Sequence, residues 1–263
     1  MKASRRPNPM PFFIRWRSNI FQAPPFLLAT LFFGSLSLFV SLFDRDGDLQ
    51  FAIARIWARF CIFFSGSSLA VLGRRHLSIP GPLVYASNHT SYMDTPVIFS
   101  ALPNQFRILA KVELWKVPCI GWYLARSGQI PIDTANPRAT LSSLSAGVKA
   151  LRAGMPLFVF PEGARTPTGA TQPFLNGAAY LAIRAQVPVV PIALIGVYDL
   201  LPIHTTQFYP TQLKVIAGPP LQTTGRNLRQ TDEFTQEIRE AIDRLIRENS
   251  ESAELPEAVS AIP

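Results

Sequence analysis

Residues 18–43 carry no charged side chain, and residues 25–43 (PFLLATLFFGSLSLFVSLF) are densely apolar. No other stretch limits the fold so strongly. At about 1.5 Å of rise per residue, a helix over this run approaches the ~30 Å of a bilayer's hydrocarbon core. No Asp or Glu precedes Asp44, whereas Lys2, Arg5, Arg6, Arg15 and Arg17 do. A basic arm ahead of an apolar helix suits an anionic membrane surface, where each nearby cation contributes about 1 kcal/mol. A secretory signal would share the basic front. This run is long, starts late and shows no small-x-small cleavage site before Asp44, so an uncleaved anchor is expected.

After the polar turn of residues 44–48, residues 49–72 are again mostly apolar, with Arg55 and Arg59 one helical turn apart. They predict a second helix that lies in the membrane interface or returns through the bilayer. Positive charge places the N-terminus in the cytoplasm. Two crossings or a shallow hairpin then return the rest of the chain to the cytoplasm, whereas one crossing puts it outside. The expected organisation is a basic arm (1–23), a membrane-associated helical hairpin (24–72), an α/β domain (73–249) and a loose tail (250–263).

Charged residues make up only 16% of the chain and the net charge is +8. A basic chain invites nucleic acid as a partner, but no helix-turn-helix, zinc-finger or RNP-like pattern is present, so membrane lipids are preferred. Cys61 and Cys119 sit in unrelated apolar contexts without ligand spacing, which suggests neither a metal site nor a disulfide framework.

Beyond residue 73 short apolar runs alternate with helical periodicity. Strands are expected over residues 83–87, 107–110, 129–132, 156–160, 187–195 and 213–217. Helices are expected over 95–101, 137–153, 174–186 and 231–247. Leu141, Leu144, Val148 and Leu151 recur at helical spacing as core positions. This alternation predicts an α/β fold with a largely parallel central sheet flanked by helices.

Two strand-end loops carry the chemistry. Asn88-His-Thr-Ser-Tyr-Met-Asp94 follows the first strand, with Asp94 placed to cap the next helix. Residues five apart lie about 140° apart on a continuous helix, so His89 and Asp94 meet only if the backbone turns back between them. A His held by a carboxylate is the arrangement of a general base, and an ordinary turn is the alternative. The second loop, Phe160-Pro-Glu-Gly-Ala-Arg165, ends another strand. Arg165 suits phosphate or carboxylate through its planar donor fork, and Gly163 permits a tight turn. A local surface ion pair of Glu162 with Arg165 is the alternative. Ser87 and Ser91 flank His89, but no G-x-S-x-G elbow supports a serine nucleophile.

Taken together, these blocks resemble the glycerolipid acyltransferases. NHTSYMD contains that family's HxxxxD, and FPEGAR resembles its FPEGTR. Between them, Lys111-Val-Glu-Leu, Pro118, Gly121 and Gly128-Gln-Ile-Pro-Ile-Asp133 resemble its K-x-E-L…G-x-I-x-I-D-R block. Val187-Pro-Val-Val-Pro191 then resembles its V-P-V-x-P block. The blocks occur in the family's order, and the basic hairpin points to the 1-acylglycerol-3-phosphate acyltransferase branch. The resemblance implies direct acyl transfer from acyl-CoA or acyl carrier protein to a lysolipid hydroxyl, with no metal or other cofactor. It assigns His89 as base and Asp94 as its support. Lys111, Phe160, Pro161, Glu162, Gly163 and Arg165 are assigned to the substrate. Thr134, Ala164 and Asn176 depart from the usual Arg, Thr or Ser, and Lys. Another lysolipid acceptor, or a lipid-binding protein of the same fold, is therefore the alternative.

Overall fold

The computed structural model describes residues 16–250, so the basic arm up to residue 15 and the tail from residue 251 lie outside the described residues. A π-helical turn, Ser18–Gln22, runs into α1 (Ala23–Val40), whose prolines fall in the first turn, where no intrahelical N–H is lost. The Asp44 carboxylate accepts N–H bonds from Gly47 (3.1 Å) and Gln50 (2.8 Å), closing the turn into α2 (Asp48–Ser65). The two helices pack as a hairpin, with Trp57 donating across it to Thr30 Oγ1 and Phe33 edge-on to Phe60.

The hairpin's two helices differ in what they face. By length and composition, the helix Ser18–Val40 is long and apolar enough to cross a membrane, and Leu28, Phe32 and Phe39 stand exposed on it. α2 instead puts Ala54, Ala58, Cys61 and Ile62 into the core and exposes Ile56 and Phe63. One face of α2 thus belongs to the packed body. α2 also stops earlier than its apolar composition suggests. Gly66 (φ 74°) takes the left-handed conformation that caps the helix, and Ser68–Leu72 forms an edge strand, β1.

The remaining strands are β2 (Val84–Ser87), β3 (Arg107–Lys111), β4 (Ile130–Ile132), β5 (Leu157–Val159), β6 (Val189–Ile195) and β7 (Gln212–Ala217). The sheet runs β1-β7-β6-β2-β5-β3-β4, parallel except where β6 meets β7. The expected largely parallel α/β architecture is what is observed. Side chains alternate across it with period two. Tyr85 and Phe158 enter the core shared with α2 and with α3 (Asp94–Ala101). Val84, Ala86, Leu157 and Val159 enter the opposite core. Three helices cover that second face: α5 (Pro137–Arg152), α6 (Gly177–Ala185) and α7 (Thr231–Ser250). A short helix, α4 (Ile120–Arg126), packs against α1 beside the sheet edge.

The expected core stripe of α5 is borne out at Val148 and Leu151, with Leu144 partly buried, but Leu141 is 56% exposed. The buried stripe of α5 runs through Gly147, Val148 and Leu151 with Leu144 at its edge, and Leu141 falls on the solvent side of the helix. β2, β5 and β3 are parallel and in register, which brings their carboxyl ends, and the two chemistry-bearing loops, to one edge of the sheet. Ligands gather at that edge in open α/β sheets.

The exposed row on α1 makes a prediction. The double substitution Leu28→Asp with Phe32→Asp should weaken co-flotation with phosphatidylglycerol-containing vesicles at least tenfold, because each Asp placed in hydrocarbon costs about 2.5 kcal/mol or more. Unchanged flotation would show that α1 is not the membrane-facing element.

Candidate active site

His89 and Asp94 meet. Nδ1 of His89 lies 2.7 Å from Oδ2 of Asp94, and the Asp94 side chain is fully buried. Sequence reading placed Asp94 as the cap of α3, but it is the first residue of the helix and Met93 holds the cap position without a side-chain bond. The Asp94 carboxylate turns back on the loop instead. Oδ2 accepts the N–H groups of Thr90 (2.6 Å) and Ser91 (2.9 Å), and Oδ1 accepts Thr90 Oγ1 at 3.3 Å. A carboxylate removed from water needs such donors. The same bonds fold the backbone back over five residues, so His89 and Asp94 come together.

With Nδ1 facing Asp94, the ring carries its proton there and Nε2 is left as the acceptor. Among the described residues nothing hydrogen-bonds Nε2. The His89 side chain is 14% exposed, enough for a reactant to reach one ring edge. Phe160 stacks on the imidazole, with centroids 4.0 Å apart and planes at 19°, which fixes the ring's second orientation axis.

Asn88 anchors the base of the loop. Its Nδ2 donates to the Leu194 carbonyl (2.9 Å) and its Oδ1 accepts the Leu194 N–H (2.8 Å), tying the loop to β6. Ser91 Oγ donates to the Leu201 carbonyl and Ser87 Oγ to that of Asn88, so both hydroxyls are engaged with backbone.

The second loop interlocks with the first. Glu162 does not pair with Arg165. Its Oε1 accepts the His89 N–H (2.8 Å) and its Oε2 the Gln172 N–H (3.1 Å). Thr166 N–H donates to the His89 carbonyl at 3.0 Å, and Arg165 Nε to that of Ser91 at 3.3 Å. Gly163 sits at φ 68°, the left-handed conformation that favours glycine, and a Cβ there would push aside the tip of the Leu175 side chain. Pro161 is buried and its carbonyl accepts the Leu175 N–H at 2.7 Å. Burial pushes the Glu162 carboxyl up to about 7, the two N–H bonds opposing the shift and the Asp94 charge adding to it.

Lys111 ends β3 at the same sheet edge, exposed, and makes none of the hydrogen bonds that join the loops. Thr134 and Asn176 lie together beside Leu175, the residue packed on Gly163. They line a groove of about 510 Å³ with Arg229 and Asp232, and none of His89, Asp94, Glu162 or Arg165 borders it. Asn176 also ties α6 to α7, donating to Asp232 (2.6 Å) and accepting from Thr235 (2.9 Å). Sequence reading missed Asn88, the Phe160 stack and the Glu162–His89 bond. Only the adjacency of Asn88 to His89 offered a local signal.

A His–carboxylate pair at the mouth of a parallel strand, clamped by a second strand-end loop, defines an α/β protein with a candidate acid–base site and an apolar helical hairpin ahead of it. Residues 68–195 match the Acyltransferase family model. A chloroplastic 1-acyl-sn-glycerol-3-phosphate acyltransferase of Brassica napus is 34% identical over 166 residues, 62% of this chain and 48% of that protein. The Pseudomonas aeruginosa 1-acyl-sn-glycerol-3-phosphate acyltransferase is 31% identical over 77% of this chain and 80% of its own length. The human alpha form is 30% identical over 75% and 70%. The chain spans about half the length of the plant relative and most of the other two. The crystal structure of the LPA acyltransferase PlsC from Thermotoga maritima shares the fold, with a TM-score of 0.77 over 95% of this chain and all of that one, at 22% identity. The chain belongs to the acyltransferase family that includes these 1-acyl-sn-glycerol-3-phosphate acyltransferases.

The raised Glu162 carboxyl has a consequence for stability. Between its ordinary value of 4.5 and about 7, the folded protein holds a proton that the unfolded chain has released. Glu162 therefore favours the fold below that window, and this contribution is lost as pH rises through it. Thermal unfolding of wild type against Glu162→Gln from pH 5 to 7.5 should show wild type losing ground steadily to the variant. A pH-independent difference would contradict the assignment.

Proposed function

We propose that this protein transfers a fatty acyl group from an acyl thioester, of coenzyme A or acyl carrier protein, to the free hydroxyl of 1-acyl-sn-glycerol-3-phosphate, giving phosphatidic acid. The observation that carries this reading is the 2.7 Å His89–Asp94 contact, which leaves Nε2 open at the sheet edge. The names of the relatives support the acceptor and the reaction class.

Nε2 of His89 takes the proton of the acceptor hydroxyl as its oxygen attacks the thioester carbonyl. Asp94 stabilises the imidazolium so formed and keeps the Nδ1 proton in place. When the tetrahedral adduct collapses, the carbon–sulfur bond breaks, the thiol leaves with the proton from Nε2, and the ester remains. No acyl-enzyme forms, in keeping with hydroxyls of Ser87 and Ser91 that are held by backbone. Arg165 receives the acceptor's phosphate through its donor fork, and Lys111 adds a second cation at the same edge. Phe160, Pro161, Glu162 and Gly163 hold the loop that presents Arg165. The apolar face of α1 lodges in the bilayer and the α/β body faces the cytoplasm, so lysolipid enters from the membrane side.

The test is acyl transfer by purified protein across acyl-CoA and acyl carrier protein donors and a panel of lysolipid acceptors. Wild type should prefer 1-acyl-sn-glycerol-3-phosphate, and His89→Ala should lose about 10² to 10⁴ in turnover, the span of general-base catalysis. Equal transfer by wild type and His89→Ala would rule out the mechanism.

A further inference from the structure

The Arg165 guanidinium is engaged on one face and on one edge only. Its Cζ lies 4.0 Å from the centroid of the Tyr92 ring, and its Nε donates to the Ser91 carbonyl at 3.3 Å. Among the described residues Arg165 makes no other hydrogen bond, so both Nη groups keep their donors free. Tyr92 and Ser91 both belong to the His89–Asp94 loop, whose backbone is pinned by the Asp94 carboxylate at Thr90 and Ser91. The Tyr92 side chain is itself 49% exposed and open to a ligand beside the guanidinium.

We propose that Tyr92 is a positioning residue for the acceptor: its ring fixes the plane of Arg165 so that the two Nη groups meet a phosphate monoester end-on. This rests on the reading of Arg165 as the phosphate site. A guanidinium can bind an oxyanion sideways through Nε and one Nη, or end-on through both Nη. The Ser91 carbonyl occupies Nε, which closes the sideways mode. The Tyr92 face removes the remaining rotation, because a cation over a ring is held by the ring's quadrupole, more strongly where water is partly excluded. The loop that carries the base therefore also orients the residue that grips the phosphate. This couples the position of the acceptor hydroxyl to that of Nε2, since one rigid loop sets both ends.

The experiment compares KM and kcat in mixed micelles for 1-acyl-sn-glycerol-3-phosphate and for a monoacylglycerol, which has the hydroxyl but no phosphate. Tyr92→Leu should raise KM for the phosphate-bearing acceptor about three- to tenfold, the size of one half-exposed cation–π contact, with a much smaller change in kcat. KM for the monoacylglycerol should not move. Tyr92→Phe should restore the wild-type KM because the ring face remains. Arg165→Lys should lose the preference for phosphate despite keeping the charge, since an ammonium has no planar fork. Tyr92→Met, with thermal unfolding of each variant, guards against a folding defect in Tyr92→Leu. An unchanged KM in both Tyr92→Leu and Tyr92→Met overturns the proposal, as does an equal rise for both acceptors. If wild type shows no preference for the phosphate-bearing acceptor and Arg165→Ala changes nothing, the phosphate-site reading falls and this inference falls with it.

Discussion

The buried carboxylate of Asp94 is the interaction on which the site depends. Fully withdrawn from water, it gathers His89 Nδ1 and the N–H groups of Thr90 and Ser91 on a single oxygen. Losing any one of these donors would leave a buried charge less well satisfied, which costs more than an exposed bond is worth. One side chain thereby folds the loop and aims the imidazole, so the loop's geometry and the ring's tautomer are set together. The second loop adds to this rigidity through Glu162 and Thr166, which grip the His89 peptide from its N–H and its carbonyl.

Placement of that site follows from the sheet. Parallel strands put the ends of β2, β5 and β3 on one edge, and Asn88 fastens the first loop to β6 across the sheet. The face holding Tyr85 and Phe158 is covered by α2, and α2 is the inner helix of the hairpin that exposes α1. The exposed apolar surface of α1 and the His89–Asp94 loop are thus joined through one continuous core. The groove around Thr134 and Asn176 meets the second loop at Leu175, and the bonds from Asn176 to α7 account for that residue as a tie between helices.

Much of the fold was legible because it is local. Short apolar runs marked the central strands and period-3.6 patterns the long helices, and turn residues marked where they stop. β1 escaped because Ser68–Leu72 continues an apolar stretch, and only its pairing with β7, far along the chain, makes it a strand. Leu141 kept the right period but falls on the solvent side of α5. In the site, the His89–Asp94 pair was legible from loop chemistry and spacing. Asp94 was misplaced as a helix cap because the competing donors on its own loop cannot be ranked without the fold. The alternative ion pair of Glu162 with Arg165, three residues on, does not form: the partner of Glu162 is the peptide of His89, 73 residues away. The Phe160 stack and the Asn88–Leu194 bonds are likewise contacts between strand ends, which no pattern along one segment reveals.

Asp94 holds the loop through its hydrogen bonds and supports an imidazolium through its charge, and one substitution separates these roles. In Asp94→Asn the amide oxygen takes the place of Oδ2 and still accepts from His89 Nδ1 and the N–H groups of Thr90 and Ser91. The NH₂ group donates to Thr90 Oγ1, and the negative charge that stabilises the imidazolium is gone. The most direct measurement is turnover of this variant with 1-acyl-sn-glycerol-3-phosphate, alongside its thermal unfolding. A loss on the order of 10³ to 10⁴ in kcat, with a thermal midpoint close to wild type, is the predicted result. Turnover near wild type in a folded Asp94→Asn protein would contradict the account.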